Sequence, residues 1–251
     1  MFQSVRVIIA FNYLLILFCN TMDRRVSKVA SSYLHDVIAV ADPKSSSKYW
    51  SDLIKQRYKI QVDPKNDYVI LRQIALCLGE FPRPLLKACG IDKLHLRNDM
   101  GESKPYYPNH GYFVDKSVTL NSDIFYNPDD FRDDNGYYMT RPNQTIFHEF
   151  GHGFDEYTGY PSMQPKWLKL SGWSKEPKEG LKRLVIKDKG TPDVLGEWYY
   201  NPDAGFTRYY GKRNPWDDFA DCFCFYIGGL RKKLPPEKAK YFDEELQKYY
   251  D

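Results

Sequence analysis

Residues 145–155 read TIFHEFGHGFD and contain the pattern His-Glu-x-x-His. Residues four positions apart in an α-helix lie on the same face, so His148 and His152 can direct two imidazoles at one metal ion. Glu149 lies one position along the helix, within reach of a water molecule at that metal. These three side chains supply two zinc ligands and a general base, which are the groups that metal-assisted hydrolysis requires.

The residues around the motif predict that it lies in a buried helix. Pro142 is typical of a helix start and Gly159 of a helix stop, which predicts a helix over residues 143–157. Apolar residues recur at spacings of three and four, at Phe147, Phe150 and Phe154. A helical histidine is more often a surface or core residue than a ligand. A buried helix with His, Glu and His, however, requires partners for these polar groups, and a metal ion is one such partner.

Length and composition narrow the classes of function. The chain has 251 residues, which favours one domain, or one domain with an extension. Its net charge of +3 is small and its longest basic run, residues 231–233, is short, so a nucleic acid partner is not indicated. The 21 tyrosines are unusual. Tyrosine combines an apolar ring with a polar hydroxyl and therefore suits a wet cleft that holds a peptide.

The first segment resembles a targeting sequence. Residues 7–19 form an apolar run that is shorter than the roughly 20 residues of a membrane-spanning helix and is typical of a secretory signal. Residues 20–22 do not form a good cleavage site, so residues 1–22 are interpreted either as a signal peptide or as an uncleaved signal anchor. We expect a secreted protein, with a membrane as partner only if residues 7–19 remain as an anchor. The four later cysteines are predicted to form one or two disulfides or to remain as buried thiols.

Helices and strands are predicted in a definite order before the motif. We interpret residues 23–66 as a helical leader that includes a helix from about 43 to 58. Asp67 can cap a second helix, and a short third helix ends at Gly90. Alternating residues predict a strand over 91–97, where His95 falls on the polar side and is interpreted as a surface residue. Two further stretches, 127–142 and 160–206, are predicted to be a solvated loop and an irregular region.

A predicted hairpin over residues 111–121 comes before the motif and suggests a place for a substrate. An extended peptide can add to an exposed strand through backbone hydrogen bonds. Gly111, Tyr112 and Phe113 are therefore the candidate substrate-binding residues. The alternative is that this strand is simply the edge of the sheet.

Two histidines do not complete a catalytic zinc site, which usually has three protein ligands. Pro215 predicts the start of a helix that runs to residues 228–229. Asp217 and Asp221 lie four positions apart on it, on one side, so one can bind the metal while the other holds a ligand imidazole. The alternative is that acids near a helix start are favoured by its dipole. That alternative explains Asp217 and Asp218 easily and Asp221 less well.

The two motifs together resemble those of a known family. His-Glu-Phe-Gly-His, followed some 65 residues later by acid-x-Phe-Ala-acid, is similar to the pattern of the gluzincin metallopeptidases. The resemblance is closest to the anthrax lethal factor type of catalytic domain and the related Pro-Pro endopeptidases, and covers roughly residues 70–245. It implies that Asp217 is the third zinc ligand, that Asp221 supports the site, and that Tyr210 stabilises the oxyanion. Tyr209 is the alternative oxyanion donor.

The resemblance implies an α+β, zincin-like metallopeptidase domain over residues 67–251. Its expected parts are N-terminal helices, a small mixed sheet, the His-Glu-x-x-His helix and a following ligand-bearing helix. The expected activity is that of a zinc-dependent endopeptidase that acts on a protein or peptide substrate, with Glu149 as general base.

One departure from the family pattern concerns the two acids. The family has Glu where this chain has Asp217 and Asp221, and Asp is shorter by one methylene. The second helix must therefore approach the zinc more closely, or Asp218 or a water molecule must take part. This departure leaves open an alternative function, a secreted non-catalytic binding protein built on a metallopeptidase fold.

Overall fold

The computed structural model describes residues 46–97, 110–126, 130–132, 138–187 and 194–250. The predicted targeting segment, residues 1–22, lies outside the described residues. Within the described residues, no helix has the length and apolar character needed to cross a membrane. The architecture is mixed α+β, as the sequence predicts.

The described part of the chain contains eight α-helices. Their bounds are α1 Ser47–Tyr58, α2 Tyr68–Gly79, α3 Arg83–Ala88, α4 Asp123–Tyr126, α5 Arg141–Tyr157, α6 Pro165–Ser171, α7 Pro215–Ile227 and α8 Pro236–Leu246. A 3₁₀ helix, Tyr209–Arg213, comes directly before α7.

Three sheets accompany the helices in the described residues. The largest has the strand order β1-β2-β4-β3, in which β2 is parallel to both β1 and β4, and β3 is an antiparallel edge strand. A two-stranded sheet pairs β5 with β6, and a three-stranded sheet has the order β7-β9-β8. The strands are β1 Gln61–Val62, β2 Lys93–Arg97, β3 Gly111–Val114, β4 Ser117–Asn121, β5 Asp130–Arg132, β6 Tyr138–Thr140, β7 Trp173–Ser174, β8 Lys182–Lys187 and β9 Val194–Tyr200.

Several predicted elements are found near their expected positions. Asp67 caps α2, because its carboxylate accepts a hydrogen bond from the backbone of Val69 at 2.8 Å. The hairpin is formed by β3 and β4, and its two turn residues, Asp115 and Lys116, both have positive φ, which suits the twist of a two-residue turn. The motif helix α5 begins at Arg141, two residues earlier than predicted.

Two predictions about irregular chain are wrong in part. The polar stretch 127–142 contains β5 and β6, and the region 160–206 contains α6 and the whole three-stranded sheet. This sheet is held by long-range contacts, including an edge-on pair between the buried rings of Trp173 and Trp198 at 6.3 Å. Local periodicity predicts this sheet only weakly, because β7 lies far before its partner β9 in sequence and the pairing of β8 with β9 is irregular near residues 186–187.

The core sits where α5 packs against α7. A Cβ added at Gly151 would lie 3.0 Å from the Cα of Ala220, so the two helices approach closely at this point. Phenylalanine rings fill the space behind the contact, with Phe154 stacked on Phe223 at 5.3 Å. Residues 47–62, assigned from the sequence to a leader, contribute Ile54 and other buried side chains to the same core.

Candidate metal centre

Three side chains from α5 and α7 converge on one point. The Nε2 atoms of His148 and His152 lie 3.1 Å apart. Oδ1 of Asp217 lies 3.7 Å from the first of these nitrogens and 3.3 Å from the second. His148 and Asp217 are buried, and His152 is partly exposed. Among the residues that the structure describes, this is the one cluster of His, Cys, Asp or Glu side chains compact enough to hold a metal ion.

The spacing of these three atoms fits a tetrahedral metal. Zinc binds nitrogen and oxygen ligands at about 2.0–2.1 Å, so adjacent ligands in a tetrahedron lie roughly 3.3–3.4 Å apart. The three observed separations, 3.1, 3.3 and 3.7 Å, bracket that value. Three donors leave the fourth position of a tetrahedron for water or substrate, which is the pattern of catalytic rather than structural zinc sites.

The electrostatics of the cluster favour a positive charge at its centre. Burial lowers the pKa of His148, but the nearby carboxylates of Asp217 and Asp221 outweigh it and raise the pKa to about 9. Burial also raises the pKa of Asp217, but the two imidazoles outweigh it and hold this pKa well below its usual range. The carboxylates thus stabilise a cation between the imidazoles, whether a proton or a metal ion.

Asn214 fixes the orientation of Asp217. It is the N-cap of α7, and its side-chain oxygen accepts a hydrogen bond from the backbone of Asp217 at 2.6 Å. Its side-chain amide donates to Oδ2 of Asp217 at 2.7 Å. Oδ2 is thus occupied, and Oδ1 is the oxygen that points toward the histidines. Asn214 was not predicted as a site residue from the sequence, although Asn directly before Pro215 is a recognisable helix-start signal.

Asp221 contacts the ring nitrogen of His148 that faces away from the cluster. Its Oδ1 accepts from Nδ1 of His148 at 2.8 Å. A proton on Nδ1 leaves the Nε2 lone pair directed at the cluster, which is the arrangement that outer carboxylates provide in metal sites. The structure therefore places the carboxylate of Asp221 against the imidazole of His148, on the side away from the cluster.

Arg208 and Gln144 extend the hydrogen-bond network that begins at Oδ1 of Asp221. The buried guanidinium of Arg208 donates to Oδ1 of Asp221. Its positive charge offsets the effect of burial and lowers the pKa of Asp221. With its amide oxygen turned toward Arg208, Gln144 accepts from both terminal nitrogens at 2.7 and 3.0 Å. Neither Arg208 nor Gln144 was predicted as a site residue from the sequence, and no local pattern marks them.

Asp218 lies outside the cluster. Its carboxylate accepts from Nζ of Lys238 on α8 at 2.7 and 2.9 Å, and both side chains are fully buried. Participation of Asp218 in metal binding, one of the alternatives raised by the sequence, is therefore wrong. The close contact between Gly151 and Ala220 offers a simpler explanation for the shorter acid, because it brings the backbone of α7 near enough for Asp217 to reach the histidines.

Glu149 lies between the cluster and the edge strand. It is buried, and burial raises its pKa. The backbone N–H of Phe113 on β3 faces its carboxylate. The candidate base is thus beside both the candidate ligands of α5 and the open edge of the sheet.

The pairing of β3 with β4 shows which backbone groups face outward. The backbone N–H of Asn121 donates to the carbonyl of His110 at 2.9 Å, which makes these two a hydrogen-bonded pair. Such pairs alternate along an antiparallel ladder, so Tyr112 is bonded to β4, whereas Gly111 and Phe113 direct their backbone groups away from it. Of the three candidate substrate-binding residues, Gly111 and Phe113 therefore have backbone groups on the side of β3 that has no strand partner among the described residues.

Tyr210 faces the cluster from the 3₁₀ helix. Its ring lies 5.5 Å from the ring of His148, in an edge-on arrangement. Burial and the charge of Asp217 raise the pKa of Tyr210, so its hydroxyl keeps its proton and can donate a hydrogen bond. Tyr209, the alternative donor, is 80% exposed and points into solvent.

The remaining predicted side chains lie away from the cluster. His95 is exposed on β2, as predicted. The four described cysteines are buried free thiols rather than disulfides, namely Cys77, Cys89, Cys222 and Cys224.

Comparisons with known proteins add no relative to this description. No protein family model, no curated protein and no solved structure matches the chain. Function is therefore inferred from the residues and geometry of the chain itself.

Proposed function

We propose that the protein is a zinc-dependent endopeptidase with a zincin-like catalytic domain of the gluzincin type. The ligands in this proposal are His148, His152 and Asp217, and Asp221 orients the first of them. Glu149 is the general base, and Tyr210 stabilises the oxyanion.

The observation that carries the proposal is the triangle of donor atoms at 3.1, 3.3 and 3.7 Å, backed by a carboxylate on the far nitrogen of His148. A structural role for two histidines and an acid does not require their free donor atoms to converge. Zinc is the ion favoured by a set of two imidazoles and one carboxylate with an open fourth position.

In the proposed reaction, the side chains that do not bind the metal transfer a proton or stabilise charge. When bound, zinc supplies Lewis-acid polarisation of the scissile carbonyl and acidifies a water molecule. Glu149 accepts a proton from the attacking water and delivers it to the leaving amine. The raised pKa of Glu149 suits this return of the proton. Tyr210 donates its O–H to the oxyanion that develops on the substrate carbonyl.

The edge strand supports a peptide rather than a small molecule as substrate. An extended peptide that pairs with β3 would bond to the outward backbone groups of Gly111 and to the carbonyl of Phe113. Because the N–H of Phe113 faces Glu149, such a peptide would pass beside the base. Tyr112 would contribute through its exposed side chain on the opposite face of the strand.

The proposed location is outside the cytosol. This part of the proposal depends on residues 7–19, with secretion if the segment is removed and membrane anchoring if it remains. The substrate would then be an extracellular protein or peptide.

The proposal is tested by cleavage of a degenerate peptide library with the full-length, zinc-loaded protein. Glu149→Gln is the paired variant, because it removes the base and keeps all three ligands. The proposal predicts cleavage by the parent protein, loss of cleavage with a chelator, and a loss of about 10²–10⁴-fold in the variant.

Two results would contradict the proposal in different ways. Unchanged turnover by Glu149→Gln would remove this residue from its role as base. Zinc binding without cleavage by either protein would favour the other candidate, a secreted non-catalytic binding protein on the same fold.

A further inference from the structure

Arg208 lies between the two parts of the proposed site and contacts both. Its guanidinium bonds to Asp221, which holds His148, and its Cζ lies 5.5 Å from the ring centre of Tyr210. We propose that Arg208 is a positioning residue that aims His148 at the metal through Asp221 and fixes the position of Tyr210. This inference rests on the proposed metal site and adds a residue to it.

Arg208 makes directional hydrogen bonds to the residues that surround His148, the proposed metal ligand. Its Nη2 donates to the same oxygen of Asp221 that accepts from Nδ1 of His148. The same nitrogen also lies 3.5 Å from that Nδ1 atom. Gln144, one turn before His148 on α5, accepts from both terminal nitrogens of the guanidinium when its amide oxygen is turned toward Arg208. Guanidinium, carboxylate and imidazole thus form a continuous chain that ends at the proposed metal position.

This chain of hydrogen bonds requires arginine, and another cationic side chain such as lysine would not fully replace it. A planar guanidinium can bond to two acceptors in fixed directions, whereas an ammonium group acts as a compact point charge on a flexible stem. Here the two acceptors are on different helices, Gln144 on α5 and Asp221 on α7. Arg208 therefore ties together the two helices that carry the candidate ligands.

The second contact connects the same residue to the oxyanion donor. Arg208 precedes Tyr210 by two positions, and the Tyr210 ring lies 5.5 Å both from its Cζ and from the ring of His148. Arg213 lies over the same tyrosine ring at 4.6 Å, but it is exposed. Arg213 thus contacts the same ring but makes no hydrogen bonds that lead to His148 in the described contacts. It is therefore the matched control for Arg208.

The test measures zinc affinity and coordination in the full-length protein. The variants are Arg208→Gln, Arg208→Lys, Asp221→Asn, the double variant Arg208→Gln/Asp221→Asn, and the control Arg213→Gln. Zinc affinity comes from competition with a chelating dye, and the visible spectrum of the cobalt-loaded protein reports the geometry at the metal. Thermal unfolding of the metal-free variants tells whether each one is folded.

The proposal predicts that Arg208→Gln weakens zinc binding about 10–100-fold and changes the cobalt spectrum, as loss of an outer partner does in other sites. Arg208→Lys should recover only part of the affinity, because it keeps the charge and loses the fork. The losses in Arg208→Gln and Asp221→Asn should not add in the double variant, since both act on His148. Arg213→Gln should bind zinc within about 2-fold of the parent, as expected for a side chain outside the chain of contacts.

Three results would overturn the proposal. They are zinc affinity within about 2-fold of the parent in folded Arg208→Gln, full recovery in Arg208→Lys, or additive losses in the double variant. If Arg208→Gln does not fold, Gln144→Leu replaces it, with a smaller loss of affinity expected and an unchanged cobalt spectrum as the contrary result. A parent protein that binds no zinc would overturn the proposed function as well, so the two failures are distinguishable.

Discussion

The two sides of helix α7 both bury carboxylates, yet they satisfy them differently. On the side that faces α8, Asp218 is paired with the ammonium group of Lys238, and the pair is closed within the protein. On the side that faces α5, Asp217 points between two imidazole nitrogens. A carboxylate beside a lysine ammonium is neutralised by that group, whereas one between two imidazoles can be neutralised by a proton on a ring or by a bound metal ion. Adjacent residues of one type therefore have a structural role and a proposed functional role.

The largest expected effect comes from removing the cation of the ion pair between Asp218 and Lys238. Lys238→Met should lower the free energy of unfolding of the metal-free protein by about 3–5 kcal/mol, because it leaves the Asp218 carboxylate buried without its cation. Chemical denaturation measures this change. The double variant Asp218→Asn/Lys238→Met should recover a large part of the loss, and no recovery would argue against the ion pair as the cause.

The next largest effect is expected from removing Asp217, on the side of α7 that faces α5. Asp217→Ala should weaken zinc binding about 100-fold or more, since a direct ligand contributes more than the outer partners whose loss costs about 10–100-fold. Chelator competition gives the affinity. Asp221→Asn is the comparison, with a smaller loss expected, because its amide oxygen can still accept from Nδ1 of His148. Zinc affinity that survives Asp217→Ala would show that the ligand set is wrong.

The close approach of α5 and α7 can be tested at Gly151. A Cβ there would lie 3.0 Å from the Cα of Ala220, so Gly151→Ala should cost about 1–3 kcal/mol of stability and move Asp217 away from the histidines. Adding Asp217→Glu to this variant should restore zinc affinity, because the longer side chain spans the wider gap. Gly79→Ala is the control, since its nearest atom is the hydroxyl of Tyr58 at 3.4 Å. Equal loss in both glycine variants would contradict the explanation.

The smallest expected effect concerns the cap of α7. Asn214→Ala should cost about 1 kcal/mol of stability through the lost N-cap. It should also weaken zinc binding about 10-fold, because Oδ2 of Asp217 loses its donor. Ser46→Ala removes the cap of α1 and should lower stability similarly without changing zinc affinity. A zinc affinity unchanged in Asn214→Ala would limit this residue to capping.

The sequence predicts the local half of the candidate site and much of the fold. His148, Glu149 and His152 follow from a four-residue spacing on one helix, and Asp67 and Pro215 mark helix starts that the structure contains. Such signals are local, so one sequence suffices to read them.

The parts that depend on distant contacts were not predictable in the same way. Arg208 and Gln144 belong to the site only through hydrogen bonds between separate elements. Lys238 is buried, which its residue type does not suggest. Helix α8 had a usable signal, because Pro236 starts it and Tyr241, Phe242 and Leu246 recur at helical spacing. The strands of the three-stranded sheet had a weaker sequence signal, because the alternation of apolar and polar residues is interrupted near the bulge at residues 186–187.

The central claim is that two imidazoles and one carboxylate of this cluster hold zinc. X-ray absorption at the zinc edge, on full-length protein loaded with one equivalent of zinc, tests it most directly. The account predicts four nitrogen or oxygen ligands at about 2.0–2.1 Å, with outer-shell scattering from two imidazoles that falls to one in His152→Ala. A zinc shell of oxygen ligands alone, or a spectrum unchanged in His152→Ala, would contradict it.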